Sequence, residues 1–436
     1  MKDVRHQPTS KEMALRAISL LCCSWLLFGC SPRPDLSSIF LKEQATINDE
    51  TWINIQLEQQ KLQQNPEDIL AHFDLARHYL QAIRESADNS LYEKAEQIMK
   101  SIDTLEPDHP QALFIRAQIA LGKHEFKTAA QLGERLTQLD DRKPSSWGIV
   151  ADAAIELGEY EQAEKALQTM VDLLPDFNAF TRIAYLREIY GDLEGAREAM
   201  ELAIDGGSAI SENMAWATAE LARLTLGKNL EEAERIYQIS LQISPNLVAA
   251  HEGLAKIQAL KGDLDGCLKT LQEIFAMFPL PHLAAEIGDV FQLQNQTEKA
   301  KTYYQLVRIS YEKLEEQGLN VGLEYAQFLA DRGLELELAQ QIAEKTYQER
   351  PTIYAADLIS WITLQLGELD LAIEYNEKAR STGSQDASIL YHSALLVQAK
   401  GDTIQAEELE QLARASNPAF SILFSKKGPI NIDLPK

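Results

Sequence analysis

Apolar residues recur at helical spacing along most of this chain, in paired short blocks. The segment 144–177 shows the unit clearly: apolar blocks cover 147–157 and 160–174. Gly158 lies between the two blocks, and Pro175 follows the second. Apolar residues at intervals of three and four predict amphipathic helices, glycine favours a turn, and proline cannot continue a helix. The segment therefore predicts two short helices joined by a tight turn.

A small residue in the second block returns ten times along the chain, at intervals of 33 to 39 residues. Small side chains at this place allow the two helices of a unit to approach closely. The ten positions are Ala95, Ala129, Ala163, Ala196, Ala233, Cys267, Ala300, Ala339, Ala372 and Ala406.

Turn and closing residues keep nearly the same period. The turn positions are Gly122, Gly158, Gly191, Gly227, Gly262, Asn295, Gly333, Gly367 and Gly401. The closing prolines are Pro107, Pro175, Pro245, Pro279, Pro351 and Pro418. Three markers in one phase predict an all-α solenoid of about ten helix-turn-helix units over 69–420.

The unit resembles the tetratricopeptide repeat (TPR). Residues that match its signature in 144–177 are Trp147, Val150, Ala151, Ala154, Ala163, Leu167 and Pro175. The resemblance implies a right-handed superhelix whose first helices line the concave face and whose second helices form the convex face. The longest intervals between the small residues predict a longer loop after repeat four and an extended second helix at 311–318 in repeat seven.

Segments on both sides of the array carry their own patterns. Residues 41–68 contain a helical pattern over 41–64 and predict a capping helix over the first repeat. The tail, 421–436, continues an apolar run that begins at Phe420 and then turns basic and polar. Two interpretations fit this tail: it folds back over the last helix, because a solenoid end exposes apolar surface, or it is a partner-binding strand.

The first 29 residues are typical of a signal peptide. Residues 1–16 are polar with a net positive charge, and 17–28 form an apolar run too short to span a bilayer as a mature helix. The run leads into Gly29 and Cys30, and the sequence Leu-Phe-Gly-Cys at 27–30 resembles the lipobox of bacterial lipoproteins. An ordinary secretory peptide and an uncleaved anchor are the alternatives, and Met13 is a second possible start.

The lipobox resemblance implies cleavage between Gly29 and Cys30 and a lipid anchor on Cys30, followed by a short tether over 30–40. Serine at position 31 implies, by the same resemblance, the outer membrane with the protein facing the periplasm. The periplasmic face of the inner membrane is the second choice. Several acyl chains on one cysteine hold a protein stably on a membrane.

The chain is strongly acidic, with a formal net charge of −25. Residues 1–29 carry four basic and two acidic side chains, so the chain from Cys30 onward has a net charge of −27. This balance argues against nucleic-acid binding and against binding to anionic lipid through the surface, and it favours partners with basic patches. Outside 1–30 the sequence has a single cysteine, Cys267, which excludes an intramolecular disulfide in the folded body.

No motif predicts catalysis, a metal or a cofactor. The glycine-lysine pairs at 122–123 and 227–228 lack the remaining residues of a phosphate-binding loop. Residues 261–272 loosely resemble a calcium loop, but lysine and glutamine stand at its first and last ligand positions. We expect no enzyme activity, although a Ser-His-Asp set formed by the fold remains an alternative.

The candidate partner groove is the concave face of the first helices. Aromatic and arginine side chains anchor many protein interfaces. The repeat phase places nine of them on this face: Phe73, Arg77, Phe114, Tyr185, Trp216, Arg223, Tyr354, Trp361 and Tyr391. The alternative is that some of these side chains pack against neighbouring helices.

The sequence thus predicts a membrane-anchored periplasmic scaffold that binds proteins in its groove. Resemblance to TPR lipoproteins favours assembly of an envelope export complex, of the exopolysaccharide type. The alternatives are a pilus or outer-membrane assembly factor, and an adaptor that recruits or regulates a peptidoglycan enzyme or a protease. No small-molecule substrate is evident.

Overall fold

The computed structural model describes residues 47–103, 105–106, 108–208 and 211–424, and within these ranges every regular element is an α-helix. The 21 helices are α1 (Asp49–Gln64), α2 (Ile69–Ser86), α3 (Leu91–Asp103), α4 (Pro110–Gly122), α5 (Phe126–Leu139), α6 (Pro144–Glu156), α7 (Tyr160–Leu173), α8 (Phe177–Ile189), α9 (Leu193–Gly206), α10 (Ser211–Thr225), α11 (Leu230–Ile243), α12 (Val248–Leu260), α13 (Leu264–Met277), α14 (Pro281–Leu293), α15 (Thr297–Glu316), α16 (Gly322–Asp331), α17 (Leu336–Glu349), α18 (Ile353–Leu366), α19 (Leu369–Ala379), α20 (Ala387–Ala399) and α21 (Thr403–Ser416).

Helices α2 to α21 form ten consecutive helical hairpins, one for each predicted repeat. Each hairpin packs on the next, so the predicted all-α superhelical solenoid is confirmed. Helix α1 packs on α2, where Ile55 and Leu62 are buried and Gln59 Nε2 donates a hydrogen bond of 3.1 Å to the hydroxyl of Tyr79. The predicted signal peptide, Gly29, Cys30 and the tether lie outside the described residues, as do 41–46 of the capping segment.

The ten small residues all lie in the second helix of their hairpin, and none is more than 8% exposed. A larger side chain at these places would separate the two helices, since protein interiors are close-packed. Cys267 occupies this position in the sixth repeat, and burial raises the pKa of its thiol to about 12. Its thiol is therefore a small core group.

The turns between the helices of a hairpin use the left-handed backbone region. Gly158 and Gly191 have φ values of +74° and +77°, which residues with a Cβ rarely adopt. The second repeat departs from the predicted pattern: Gly122 ends α4 inside the helix, and His124 takes the left-handed conformation instead, with φ of +61°. A Cβ on Gly122 would lie 2.2 Å from the hydroxyl of Tyr92. The ring of Tyr92 therefore packs too close to the backbone at position 122 for any residue with a side chain, which explains the glycine.

The two widest intervals between repeats have structural causes. Helix α15 is 20 residues long, against 14 for α13, which confirms the predicted extension in repeat seven. Between repeats four and five, α9 ends at Gly206 and α10 begins at Ser211, which is the same separation as between α5 and α6, so the predicted longer loop is wrong. The wider interval arises in part from α10, which has 15 residues against 13 for α8.

Successive turns of the superhelix touch each other. The hairpin turn of repeat two meets the loop before repeat eight, where the N–H of Asn320 donates to the carbonyl of Lys123 at 3.0 Å. The turn of repeat three meets the loop before repeat nine, where the N–H of Ile353 donates to the hydroxyl of Tyr160 at 3.0 Å. Arg350, next to this loop, pairs with Glu156.

The same register continues into the last repeats. The hydroxyl of Thr382, before repeat ten, donates to the carbonyl of Ile189 at 2.6 Å. A Cβ on Gly227, in the turn of repeat five, would lie 2.0 Å from the carbonyl oxygen of Ala415. The turns of repeats two to four therefore pack against the loops before repeats eight to ten, the turn of repeat five packs against the end of α21, and the superhelix encloses an interior.

The chain continues into this interior after α21. Ala419, Ile422, Leu423 and Phe424 are all buried. Ala419 packs with residues of α10 and α12, and Ile422 packs with residues of α12 and α14. The apolar run after the last helix therefore contacts repeats five to seven as well as the last repeat. No helix in the described ranges is both long and apolar enough to cross a membrane.

Contacts between superhelical turns should contribute measurably to stability. A Cβ on Gly158 would lie 2.6 Å from the carbonyl oxygen of Pro351, whereas one on Gly262, with a similar φ, would meet no atom within 4 Å. Alanine at Gly262 should lower the free energy of unfolding by about 1–2 kcal/mol through backbone strain alone. Alanine at Gly158 should cost about 1–3 kcal/mol more, because it also overpacks the contact. Urea denaturation of both variants measures the difference, and equal losses would contradict the contact.

Candidate partner-binding groove

Ion pairs join the first helices of neighbouring repeats along the inner wall of the superhelix. We call this set the inner charge ladder. Its five rungs are Asp152–Arg182 (2.7 Å), Glu188–Arg223 (2.5 Å), Lys256–Glu286 (3.0 Å), Asp289–Arg332 (2.6 Å) and Asp357–His392 (2.8 Å). Each rung joins two neighbouring repeats: three to four, four to five, six to seven, seven to eight and nine to ten. The set has no rung between repeats five and six or between repeats eight and nine.

Carboxylates outnumber cations on the ladder. Lys256 is shared by Glu286 and Glu252, and Arg223 is shared by Glu188 and Glu220. Asp331 and Asp386 lie near the last rungs without a basic side chain of their own. From repeat three to repeat ten, nine carboxylates therefore face six basic side chains, which are Arg182, Arg223, Lys256, His282, Arg332 and His392. The inner wall is acidic, which favours a basic partner.

Enclosure changes the protonation of these groups. Burial raises the pKa of Asp331 and of Asp386 above the usual aspartate value. Burial also raises the pKa of Asp289, although Arg332 opposes the shift. Removing a carboxylate from water disfavours its charged form, and one cation per rung offsets only part of this cost.

In the Asp357–His392 rung, the effect of the partner on the pKa outweighs the effect of burial. Burial alone would lower the pKa of His392, but Asp357 at 2.8 Å raises it overall, with a further contribution from Asp331. The imidazole stacks on Trp361, with ring centroids 4.7 Å apart. Asp357 Oδ1 and His392 Nε2 are both buried without a hydrogen-bond partner. The pair leaves one acceptor and one ring nitrogen free toward the interior.

Four of the nine predicted groove residues lie on the enclosed face or beside it. Tyr185 and Trp216 are 37% and 40% exposed, and Arg223 and Tyr354 line a small cavity together with Glu188 and Phe420. Burial raises the pKa of Tyr354 well above its usual value, and Tyr185 lies on α8 three residues before Glu188, which lines the same cavity. The structure therefore groups Tyr185, Arg223 and Tyr354, and Trp216 lies on the same helix as Arg223.

Two predicted residues lie elsewhere. Phe114 lines a separate cavity of about 600 Å³ between the first helices of repeats one to four, which also contains Gly148, Asp152 and Arg182. Arg77 pairs with Asp74 on its own helix. Neither residue joins the group around Arg223.

Three predicted groove residues are core residues, which corrects the prediction. Trp361 is 0% exposed between α18 and α20, where it stacks on His392. Phe73 is buried against His109, with ring centroids 4.8 Å apart, and Tyr391 is buried against Phe424 at 4.9 Å. A first helix is flanked by two other first helices and by its own second helix. Only a narrow stripe of it faces the interior. Since each residue rotates a helix by about 100°, a small error in the assumed register moves a side chain from that stripe into the core.

Sequence reasoning missed the carboxylates of the ladder. Glu188, Glu220, Glu252 and Glu286 follow one another at 32, 32 and 34 residues, which is close to the repeat period. That recurrence is the signal that could have located them. The search for aromatic anchors overlooked it because charged residues on helices usually face solvent.

An acidic cavity of about 260 Å³ lies at the end of the ladder. Acidic side chains from three first helices and from the residue that caps a fourth line it: Glu286, Asp289, Asp331, Asp357 and Asp386. Arg332, His392 and the chain segment Phe420–Phe424 complete its wall. Among the residues that the structure describes, no group of three or more His, Cys, Asp or Glu side chains is arranged to hold a metal ion.

Comparison with known proteins finds solved structures built of helical repeats. No protein-family model and no curated protein matches the chain. Among solved structures, the human IFIT1 dimer with m7Gppp-AAAA is 15% identical with a TM-score of 0.47, covering 90% of this chain and 96% of that one. A tetratricopeptide repeat protein from Parabacteroides merdae is 18% identical with a TM-score of 0.41, covering 55% and 96%. The APC/C hetero-tetramer Cut9-Hcn1 is 15% identical with a TM-score of 0.43, covering 81% and 73%.

At these identities the similarity concerns the helical-repeat fold and says nothing about partners. The helical pairs of this chain fit the tetratricopeptide repeat, with a small buried residue in every second helix.

The two tryptophans should respond differently to truncation. Trp361→Ala removes a fully buried indole and should lower the free energy of unfolding by about 3–5 kcal/mol. Trp216→Ala removes a side chain that is 40% exposed and should change it by about 0.5–1 kcal/mol. Urea denaturation measures both values. A small loss for the Trp361 variant would show that this side chain is available to partners after all.

Proposed function

We propose that this protein is an interaction scaffold that binds a basic protein or peptide segment on its inner face. The observation that carries the proposal is the acidic inner wall, where nine carboxylates face six cationic or ionisable side chains over repeats three to ten. Trp216 and Tyr185 add exposed aromatic surface on first helices of the same region. An acidic wall repels phosphates, so the proposal excludes nucleic acid as the partner.

The proposal includes a lipid anchor at Cys30 on the periplasmic face of the outer membrane, with the inner membrane as second choice. It rests on the sequence alone: a basic segment, a short apolar run, and Gly29 before Cys30, followed by serine. Since the surface is too acidic to bind anionic lipid, the acyl chains would hold the body at the membrane.

Within the envelope we favour assembly of an export complex, of the exopolysaccharide type, because long TPR arrays on lipoproteins are typical of that class. An adaptor for a peptidoglycan enzyme or a protease, and a pilus or outer-membrane assembly factor, remain the alternatives. Genes for glycosyltransferases and an outer-membrane barrel beside this one would favour export.

The Asp357–His392 pair in the acidic cavity raises the question of a catalytic role. An aspartate that orients a histidine is part of many hydrolases. However, His392 Nε2 has no hydrogen-bond partner, so it activates no hydroxyl or thiol. We therefore propose binding and no catalysis.

Partner capture tests the scaffold. In membranes crosslinked before extraction, the wild-type chain should capture a periplasmic or outer-membrane partner with basic segments. Trp216→Ala should reduce that capture about tenfold, as expected for an aromatic anchor worth 1–2 kcal/mol. Ile404→Ala is the matched control, because Ile404 is a large exposed side chain on the second helix α21. Capture of cytoplasmic proteins alone, or equal capture by both variants, would contradict the proposal.

The anchor has its own test. Cys30→Ser removes the thiol that would carry the lipid, so the protein should leave the membrane fraction and lose incorporation of labelled fatty acid. Cell fractionation and labelling measure the two effects, with Cys267→Ser as the control that should change neither. Unchanged labelling of the Cys30 variant would refute the lipoprotein assignment.

A further inference from the structure

The acidic cavity already contains part of the chain itself. Helix α21 ends at Ser416, whose hydroxyl donates to the carbonyl of Gln385 at 2.6 Å, and the chain then turns inward. The rings of Phe420 and Phe424 are tilted against the buried ring of Tyr391, with centroids 5.6 and 4.9 Å away, and Ile422 packs with residues on the first helices of repeats six and seven. The segment 419–424 thus lies inside the superhelix as a series of turns and bends.

The end of this segment stands at the wall of the cavity. Phe420, Ile422 and Phe424 line it, together with the acidic side chains of the inner charge ladder. Within the cavity wall, five carboxylates face one guanidinium and one imidazole. Acidic groups therefore outnumber basic groups in a space that is removed from bulk water.

Single atoms in the cavity wall lack partners. Asp357 Oδ1 and Glu286 Oε2 are buried without a hydrogen bond, and the side chain of Asp357 is only 5% exposed. A buried carboxylate oxygen without a donor is costly, and such groups are normally satisfied. A donor with positive charge would satisfy both the geometry and the charge of this site.

The residues that follow Phe424 supply such a donor. The sequence continues Ser425, Lys426, Lys427, Gly428. Two or three extended residues span about 7–11 Å, and a lysine side chain adds its own length, so either ammonium can reach across the cavity. Lysine is a compact point charge on a flexible stem, which suits a pocket lined by several carboxylates.

We propose that the chain's own tail, through Lys426 or Lys427, occupies the acidic cavity and completes the site that Phe420–Phe424 begins. The inner face then carries an intramolecular ligand with an apolar stretch followed by lysine. A partner that binds there must present the same chemistry and displace the tail. This last consequence rests on the proposed scaffold function, whereas occupancy by the tail does not.

Zero-length crosslinking tests the occupancy directly. A carbodiimide couples an amine to a carboxylate only when the two are in contact. In the purified full-length chain, mass spectrometry should find Lys426 or Lys427 joined to Glu286, Asp331, Asp357 or Asp386. These links should disappear in Lys426→Gln/Lys427→Gln, while the link between Lys378 and Glu374, 2.7 Å apart on α19, persists as the internal control. Crosslinks from the two tail lysines to other carboxylates only, or no crosslink at all, would overturn the proposal.

A mixture of isotope-labelled and unlabelled chains decides whether the tail binds its own molecule. Links within one isotope class support the intramolecular ligand, and mixed links would show that the tail enters a second copy, which contradicts it. The assay contains neither membrane nor partner. Failure here therefore leaves the scaffold proposal to its own capture experiment.

A charge-reversal cycle gives a second readout that does not depend on crosslinking chemistry. Lys426→Glu/Lys427→Glu should lower the melting temperature, and Asp331→Asn should reduce that loss, because the two changes act on one site. Lys436→Glu, in the same tail, is the matched control and should change nothing. Additive effects of the lysine and Asp331 changes would mean that they do not meet.

Discussion

Contact between successive turns of the superhelix is the constraint on which the other features depend. The hairpin turns of repeats two to four pack against the loops before repeats eight to ten, and the turn of repeat five packs against the end of α21, through contacts such as the hydrogen bond from Asn320 to Lys123. Repeat arrays stabilise mainly through neighbouring units, so a contact across six repeats adds a long-range tie that an open solenoid lacks. Gly158 contributes to the hairpin and to the contact between superhelical turns, since it allows the left-handed turn and leaves room for the carbonyl of Pro351.

Closure of the turns produces the electrostatics of the inner wall. Carboxylates on an open concave face would be solvated and would titrate near their usual values. Inside the closed superhelix, burial raises the pKa of Asp331 and Asp386, and each cation of the ladder is shared or outnumbered. The ladder therefore has two effects: it joins adjacent first helices, and it leaves an excess of negative charge directed inward. Entry of Phe420–Phe424 into this space joins an apolar stripe to that charge.

Repetition explains why so much of the fold can be predicted. A periodic sequence repeats each local signal about ten times, so errors at single positions do not accumulate. The phase of Ala163 in one unit located Ala406 seven units later, and both are buried in second helices. The site is less predictable for the same reason. Groove residues differ from unit to unit, and Trp361, which the repeat phase places on the groove, is buried in the core.

The sequence by itself determined the helical hairpins, their number, the small residue at each helix contact and the acidic character of the chain, because these depend on local periodicity and composition. Only the tertiary structure decided which first-helix residues face the interior, that the turns of repeats two to five meet the far end of the array, and that the segment after α21 enters the groove. Those features depend on the rotation between successive repeats. Small rotations add up over the array, and no single repeat encodes their sum.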